Sequence, residues 1–221
     1  MPLDTLDYQT GETPASTIII LHGLGASATD FVPVARELDL RAIGAVRFVF
    51  PFAPVRPVTI NRGMPIPAWY DVFDLDGLRR EDEPGLRESV AAVQALIERE
   101  IARGVPASRI VLGGFSQGCA ITLLAGLRAP QRLAGLLCMS GYLALAATTA
   151  AERSDANRDV PIFLGHGRND PVVPYARGTA TRDALVELGH PVEWHDYRAQ
   201  HTVPQEEIED AQAWLLKVLA L

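Results

Sequence analysis

Ile110-Val111-Leu112-Gly113-Gly114-Phe115-Ser116-Gln117-Gly118 passes from an apolar run straight into a helical pattern, with no linker between them. The run Ile110 to Gly113 reads as a buried strand and Gln117 to Leu127 as a helix, so Gly114 to Gly118 is a strand-to-helix turn. Such a turn holds its central serine above the end of a sheet. The two glycines leave space where side chains would collide, and the helix amino end behind the serine favours developing negative charge. A Gly-x-Ser-x-Gly string by itself is weak, and its placement between a strand and a helix is what gives it meaning.

Outward from this turn, further short apolar runs read as buried strands at Thr17 to Leu21, Val46 to Phe50, Leu133 to Met139, Val160 to Leu164 and Val192 to Tyr197. Helical patterns lie between them. The clearest is Pro84 to Arg103, where Leu86, Val90, Val93, Ile97 and Ile101 share a face and Gly104 follows as a stop. Weaker patterns run over Thr29 to Leu38, Tyr175 to Leu188 and Pro204 to Leu219. Strands rich in Val, Ile and Leu without polar alternation suit a mostly parallel sheet covered by helices on both faces. In such a sheet ligands bind beyond the carboxyl ends of the strands, so the residues just after each strand are the ones to search. Pro51 to Glu83, with prolines at 51, 54, 57, 65 and 67, shows neither helical nor strand period and is expected to be a long loop. Its Met64, Ile66, Trp69, Tyr70 and Phe73 argue for an ordered binding segment.

A chain of 221 residues with 48% hydrophobic content can bury one sizeable core, and no linker-like tract divides it, so one domain over residues 1–221 is expected. A net charge of -7 argues against nucleic acid or an anionic membrane as the main partner. No segment approaches the roughly 18 uninterrupted apolar residues of a membrane span, and Met1-Pro2-Leu3-Asp4 lacks a secretion signal, which points to a cytoplasmic protein. Cys119 and Cys138 have no metal-site or disulfide-framework spacing and read as reduced, buried thiols.

A serine hydroxyl is a poor nucleophile unless an imidazole takes its proton, and the imidazole needs a carboxylate to fix its tautomer. Gly165-His166-Gly167-Arg168-Asn169-Asp170-Pro171 follows a strand, and Asp170 is the acid best placed to project from that turn. Among the five histidines, His22 precedes the nucleophile, His166 lies beside the acid, and His190 and His195 fall before or within the last strand. His201 follows that strand, giving the order Ser116, Asp170, His201 of the α/β-hydrolase fold, with His195 as the alternative base. The tetrahedral oxyanion needs donors, and the backbone N–H groups of Gln117 and of Leu24, in the loop His22-Gly23-Leu24-Gly25 after the first long strand, are the two expected. His22 itself reads as a loop-ordering residue.

These residues resemble the phospholipase/carboxylesterase family of α/β-hydrolases, which includes small bacterial carboxylesterases and acyl-protein thioesterases. The segments that carry the resemblance are LHGLGAS at 21–27, RPVTIN at 56–61, PAWYDV at 67–72, GFSQG at 114–118, HGRNDPVVP at 166–174, and His201 with the following PQEEI at 204–208. The tryptophan segment and the Gln after the serine are not shared by α/β-hydrolases in general. The resemblance implies an esterase or thioesterase with Ser116, Asp170 and His201 as triad, Leu24 and Gln117 as oxyanion donors, and no metal or organic cofactor. Two positions depart from the family pattern: Cys119 stands where a second glycine often follows the elbow, and Gln200 where glycine often precedes the histidine.

Only 20 residues, Ser140 to Asp159, occupy the place where larger α/β-hydrolases insert a lid, so no separate lid domain is expected. The site should be open on one side, with the Pro51 to Glu83 loop folded over the other. Trp69 is a candidate for the acyl pocket and equally for a core anchor of that loop. The expected reaction is hydrolysis of small carboxylic esters, with thioesters or lysophospholipids as alternative substrates. A non-catalytic binder of a small hydrophobic ligand is the rival of another class, against which stands the presence of all three triad residue types. The edge strands and final helix leave a homodimer open.

Overall fold

The computed structural model describes residues 3–74 and 80–220; residues 75–79 of the long loop lie outside them, as do 1–2 and 221. In chain order the elements are β1 (Thr5–Gln9), β2 (Ser16–Leu21), α1 (Val32–Glu37), β3 (Val46–Pro51), β4 (Val55–Val58), β5 (Met64–Pro67) and α2 (Glu83–Ala102). Then follow β6 (Ile110–Phe115), α3 (Gln117–Leu127), β7 (Gly135–Met139), α4 (Ala146–Glu152), β8 (Ile162–Gly167), α5 (Tyr175–Glu187), β9 (Val192–Tyr197) and α6 (Gln205–Val218). Seven strands form one sheet in the order β1-β3-β2-β6-β7-β8-β9. All neighbours run parallel except β1, which pairs antiparallel with β3.

Alternate residues of the central strands feed two cores. Ile19, Leu21, Leu112, Leu136 and Leu164 pack on one face with the apolar stripe of α2 and with α3. Ile18, Ile20, Val111, Leu137 and Phe163 pack on the other with Ala211, Trp214 and Leu215 of α6. Because both faces are covered, the strands need no polar alternation, which is why Ser16–Leu21 and Ile162–Gly167 are buried throughout. Helix α2 begins where the Asp82 side chain accepts from the Gly85 N–H and is followed by Gly104 at φ 101°. These are an N-cap and a left-handed stop of the expected kinds.

Three features were not expected, the third being the short α4 between β7 and β8. β1 alternates polar and apolar residues and is only partly buried, so it lacks the apolar run that marks the inner strands. It is fixed by its ladder to β3 and by Asp7 paired with Arg47 at 2.5 Å. The second is a hairpin, β4 with β5, inside the stretch read as a loop. Pro57 and Pro65 face each other in it; neither has an N–H, so the hairpin forgoes ladder bonds there and its sequence shows no strand period. Arg62 and Gly63, both at positive φ, close the connection. Between β7 and β8 the chain makes only the short α4 and a 3-10 turn at Asp155–Asn157, with no lid domain.

Candidate active site

Ser116 sits at the carboxyl end of β6 with φ 56° and ψ −117°, a backbone conformation that costs a non-glycine residue about 1–3 kcal/mol. The surroundings hold it there. The Ser116 N–H donates to the Met139 carbonyl at 2.9 Å. A Cβ on Gly114 would overlap the Gly118 backbone, and one on Gly118 would overlap the Leu21 and His22 carbonyl oxygens. Both glycines are therefore needed for backbone to pass against backbone, and the serine between them is pressed outward. Cys119, fully buried, occupies room that Gly141 leaves: a Cβ there would overlap the Cys119 side chain. The extra side chain at 119 is thus accommodated without moving the turn.

Ser116, Asp170 and His201, taken from three distant segments, are brought together. His201 Nε2 lies 2.8 Å from Ser116 Oγ and its Nδ1 2.7 Å from Asp170 Oδ2. Asp170 follows β8, and its Oδ1 accepts the N–H groups of Val172 and Val173 at 2.8 and 2.9 Å, which aims Oδ2 at the imidazole. A carboxylate against Nδ1 favours the tautomer with the proton there, leaving Nε2 as acceptor toward the hydroxyl. The Phe115 ring lies 4.7 Å from the imidazole, centroid to centroid, and backs it. Gln200 is accommodated because its φ is not positive, so a side chain costs nothing there. The close approach falls instead on Gly167, where a Cβ would overlap the Ala199 and Gln200 carbonyl oxygens.

The other histidines are placed elsewhere. His195, the alternative base, lies on β9, where it binds Asp210 of α6 at 3.0 Å and Glu193 at 3.3 Å and stacks on Phe163. His166 is buried, its Nε2 2.9 Å from the Val173 carbonyl, and burial lowers its pKa, so it stays neutral beside Asp170. His22 is also buried and also lowered by desolvation. Its Nε2 accepts from the Ala53 N–H at 3.1 Å, so the proton is on Nδ1, 2.7 Å from the Gly23 carbonyl. It orders its loop.

Leu24 and Gln117 line the same cleft as Ser116, and among the described residues the backbone N–H of neither donates to a backbone carbonyl. The Gln117 side chain does something the sequence analysis missed. Its Oε1 accepts the Trp69 N–H and its Nε2 donates to the Tyr70 carbonyl, each at 2.8 Å, stitching the 51–83 segment to the turn that carries the serine. Trp69 is fully buried, its Nε1 donates to the His22 carbonyl at 2.8 Å, and Ser89 Oγ donates to its carbonyl. It borders a larger apolar cleft with Phe52, Val55 and Pro67 rather than the cleft of Ser116. Of its two candidate roles, geometry favours the anchor. Its neighbour Tyr70 reaches the Ser116 cleft, where its hydroxyl meets that of Tyr142 at 2.8 Å and the Arg177 guanidinium lies 3.5 Å from the Tyr142 ring centroid.

The profile of the family described as Phospholipase/Carboxylesterase matches residues 8–219. The chain belongs to the phospholipase/carboxylesterase family. This phospholipase/carboxylesterase member is 42% identical to acyl-protein thioesterase 1 of Mycosarcoma maydis, over 97% of the chain and 95% of that protein. It is 40% identical to acyl-protein thioesterase 1 of Yarrowia lipolytica, over 90% of each. The crystal structure of Zea mays acyl-protein thioesterase 2 superposes with a TM-score of 0.87 at 30% identity, covering 98% of this chain and 99% of that one. Family membership makes the chain a serine hydrolase of α/β-hydrolase fold. No helix among the described residues is long and apolar enough to cross a membrane.

Proposed function

We propose that this chain hydrolyses carboxylic esters and thioesters of short to medium acyl chains through an acyl-enzyme on Ser116. The observation that carries the proposal is the unbroken run of hydrogen bonds from Asp170 through His201 to Ser116 Oγ. His201 Nε2 takes the hydroxyl proton as Oγ attacks the acyl carbon, and Asp170 stabilises the resulting imidazolium. The tetrahedral oxyanion accepts from the N–H groups of Leu24 and Gln117, which supply charge stabilisation where the carbonyl oxygen becomes negative. Collapse breaks the bond to the alcohol or thiol, which leaves with the proton from His201. Water then attacks the acyl carbon, gives its proton to Nε2, and the acid departs as Oγ recovers that proton.

A serine-directed fluorophosphonate should add once per chain, at Ser116 by mass spectrometry, and Ser116→Ala should neither react nor turn over substrate. Label on any other residue, or turnover by the variant, defeats the assignment. The names of the relatives favour one substrate class within the proposal, S-acylated protein thioesters. Rates on nitrophenyl esters from acetate to palmitate, beside an S-acyl cysteine peptide, rank these classes. A cytoplasmic location accompanies this proposal.

A further inference from the structure

Two buried glutamates differ sharply. Glu100 is fully buried but has Arg47 and Arg99 at 3.2 Å and Arg103 at 3.5 Å. Glu207, on the first turn of α6, is equally buried, yet neither of its carboxyl oxygens has a hydrogen-bond partner among the described residues. A buried carboxylate without a cation or donors is costly, so such a group stays protonated. The fold makes room for it: a Cβ on Gly165 of β8 would overlap Glu207 Oε1. Two residues further along the same strand, Gly167 receives the Ala199 and Gln200 carbonyls in the same way. His201 therefore lies on a short span clamped to β8 at both ends, by residues 199–200 before it and by Glu207 after it. The Glu207 N–H closes the first turn of α6 by donating to the Pro204 carbonyl at 3.0 Å.

We infer that uncharged Glu207 is a positioning residue for His201: packed on Gly165, it holds the start of α6 so that the imidazole stays on Ser116, and loss of its proton loosens that clamp. The inference rests on His201 being the base of the proposed reaction. The charge that acts on Glu207, that of Asp210 on its own helix, opposes its ionisation. Across from it β9 presents Tyr197, which with His195 of the same strand binds Asp210 at 2.9 and 3.0 Å, and Gly165 of β8 meets the carboxyl with no side chain of its own. Burial first, and the Asp210 charge second, push the Glu207 carboxyl up to about 8. An ionised carboxylate seeks water, and the route out of this pocket pulls the first helical turn with it.

The sign of the stability effect follows from the raised value. The folded chain keeps the proton that the unfolded chain has lost, so stability is full below the ordinary glutamate range and declines as pH rises toward 8. The Tm of wild type should fall across pH 5 to 8 more steeply than that of Glu207→Gln, which mimics the protonated form. For catalysis, kcat/KM on a nitrophenyl ester, corrected with Ser116→Ala as background, should fall about tenfold in wild type between pH 7 and 9, mostly in kcat, since a carboxyl titrating at about 8 is roughly nine-tenths protonated at the lower pH and one-tenth at the higher. In Glu207→Gln it should change less than twofold. Parallel profiles for the two proteins, or a wild-type profile flat to pH 9, overturn the inference. Should Glu207→Gln not fold, NMR of wild type with 13C-carboxyl glutamate decides: His201 ring signals should shift with the Glu207 titration, and their staying still overturns it. Failure of the triad assignment reads out separately, as turnover by Ser116→Ala.

Discussion

The turn around Ser116 and the segment from Pro51 to Glu83 meet across one hydrogen-bonded side chain, and they are ordered by different means. At the turn, backbone touches backbone: Gly114 passes Gly118, and Gly118 passes the end of β2. In the segment, the hairpin's backbone bonds are joined by side chains that hold backbone. Gln117 grips residues 69 and 70, Asp71 accepts the Thr59 N–H and hydroxyl at 2.7 and 2.6 Å, and Asp82 accepts the Asp71 N–H at 2.8 Å. Contacts made by backbone alone admit little adjustment, whereas contacts made by side chains can be re-cut by substitution. In the proposed reaction the chemistry sits on the first region, while the second supplies Ile60, Tyr70 and Val72 to the wall of the Ser116 cleft.

Substitutions can break this contrast or sharpen it. The largest effect belongs to the turn: Ser116→Ala should lower kcat by a factor on the order of 10⁴ or more with little change in Tm, measured by ester hydrolysis and calorimetry. Next comes the segment's anchor. Trp69→Ala should cost about 4 kcal/mol of stability, read by urea unfolding, because a large side chain leaves a fully buried site. A loss below about 1 kcal/mol, the size of an ordinary surface change, would show that the segment is held by something else. Gln117→Ala should cost about 2 kcal/mol by leaving the Trp69 N–H and Tyr70 carbonyl without partners. It should also raise KM more than it lowers kcat, since its own backbone N–H stays. The smallest effect is Tyr70→Phe, about 1 kcal/mol for the lost bond to the Tyr142 hydroxyl.

The same contrast explains which parts of the fold are legible in the amino-acid sequence. The inner strands declare themselves because both faces are buried, so their apolar runs are uninterrupted; β1 and the β4–β5 hairpin are edge or two-stranded elements whose composition follows no such demand. Placing Ser116, Asp170 and His201 near one another followed from local rules, strand-to-helix for the serine and strand end for the other two. Tyr142 and Arg177 were missed because nothing local marks them: they come from the connection after β7 and from α5, and meet only through tertiary packing. The Gln117 side chain did leave a trace. The tryptophan segment and the glutamine after the serine were both peculiar to the resembling family, and two peculiarities that travel together are what a direct bond between them produces.

The positive φ of Ser116 also limits what can replace it. Cysteine has the same unbranched shape and fits the same backbone, so a thiol nucleophile is one substitution away. Threonine carries a second group on Cβ, and branched residues are strongly disfavoured in the left-handed region. Descendants of this fold can therefore explore sulfur chemistry at the attacking atom far more readily than a secondary alcohol, whatever the genetic code offers.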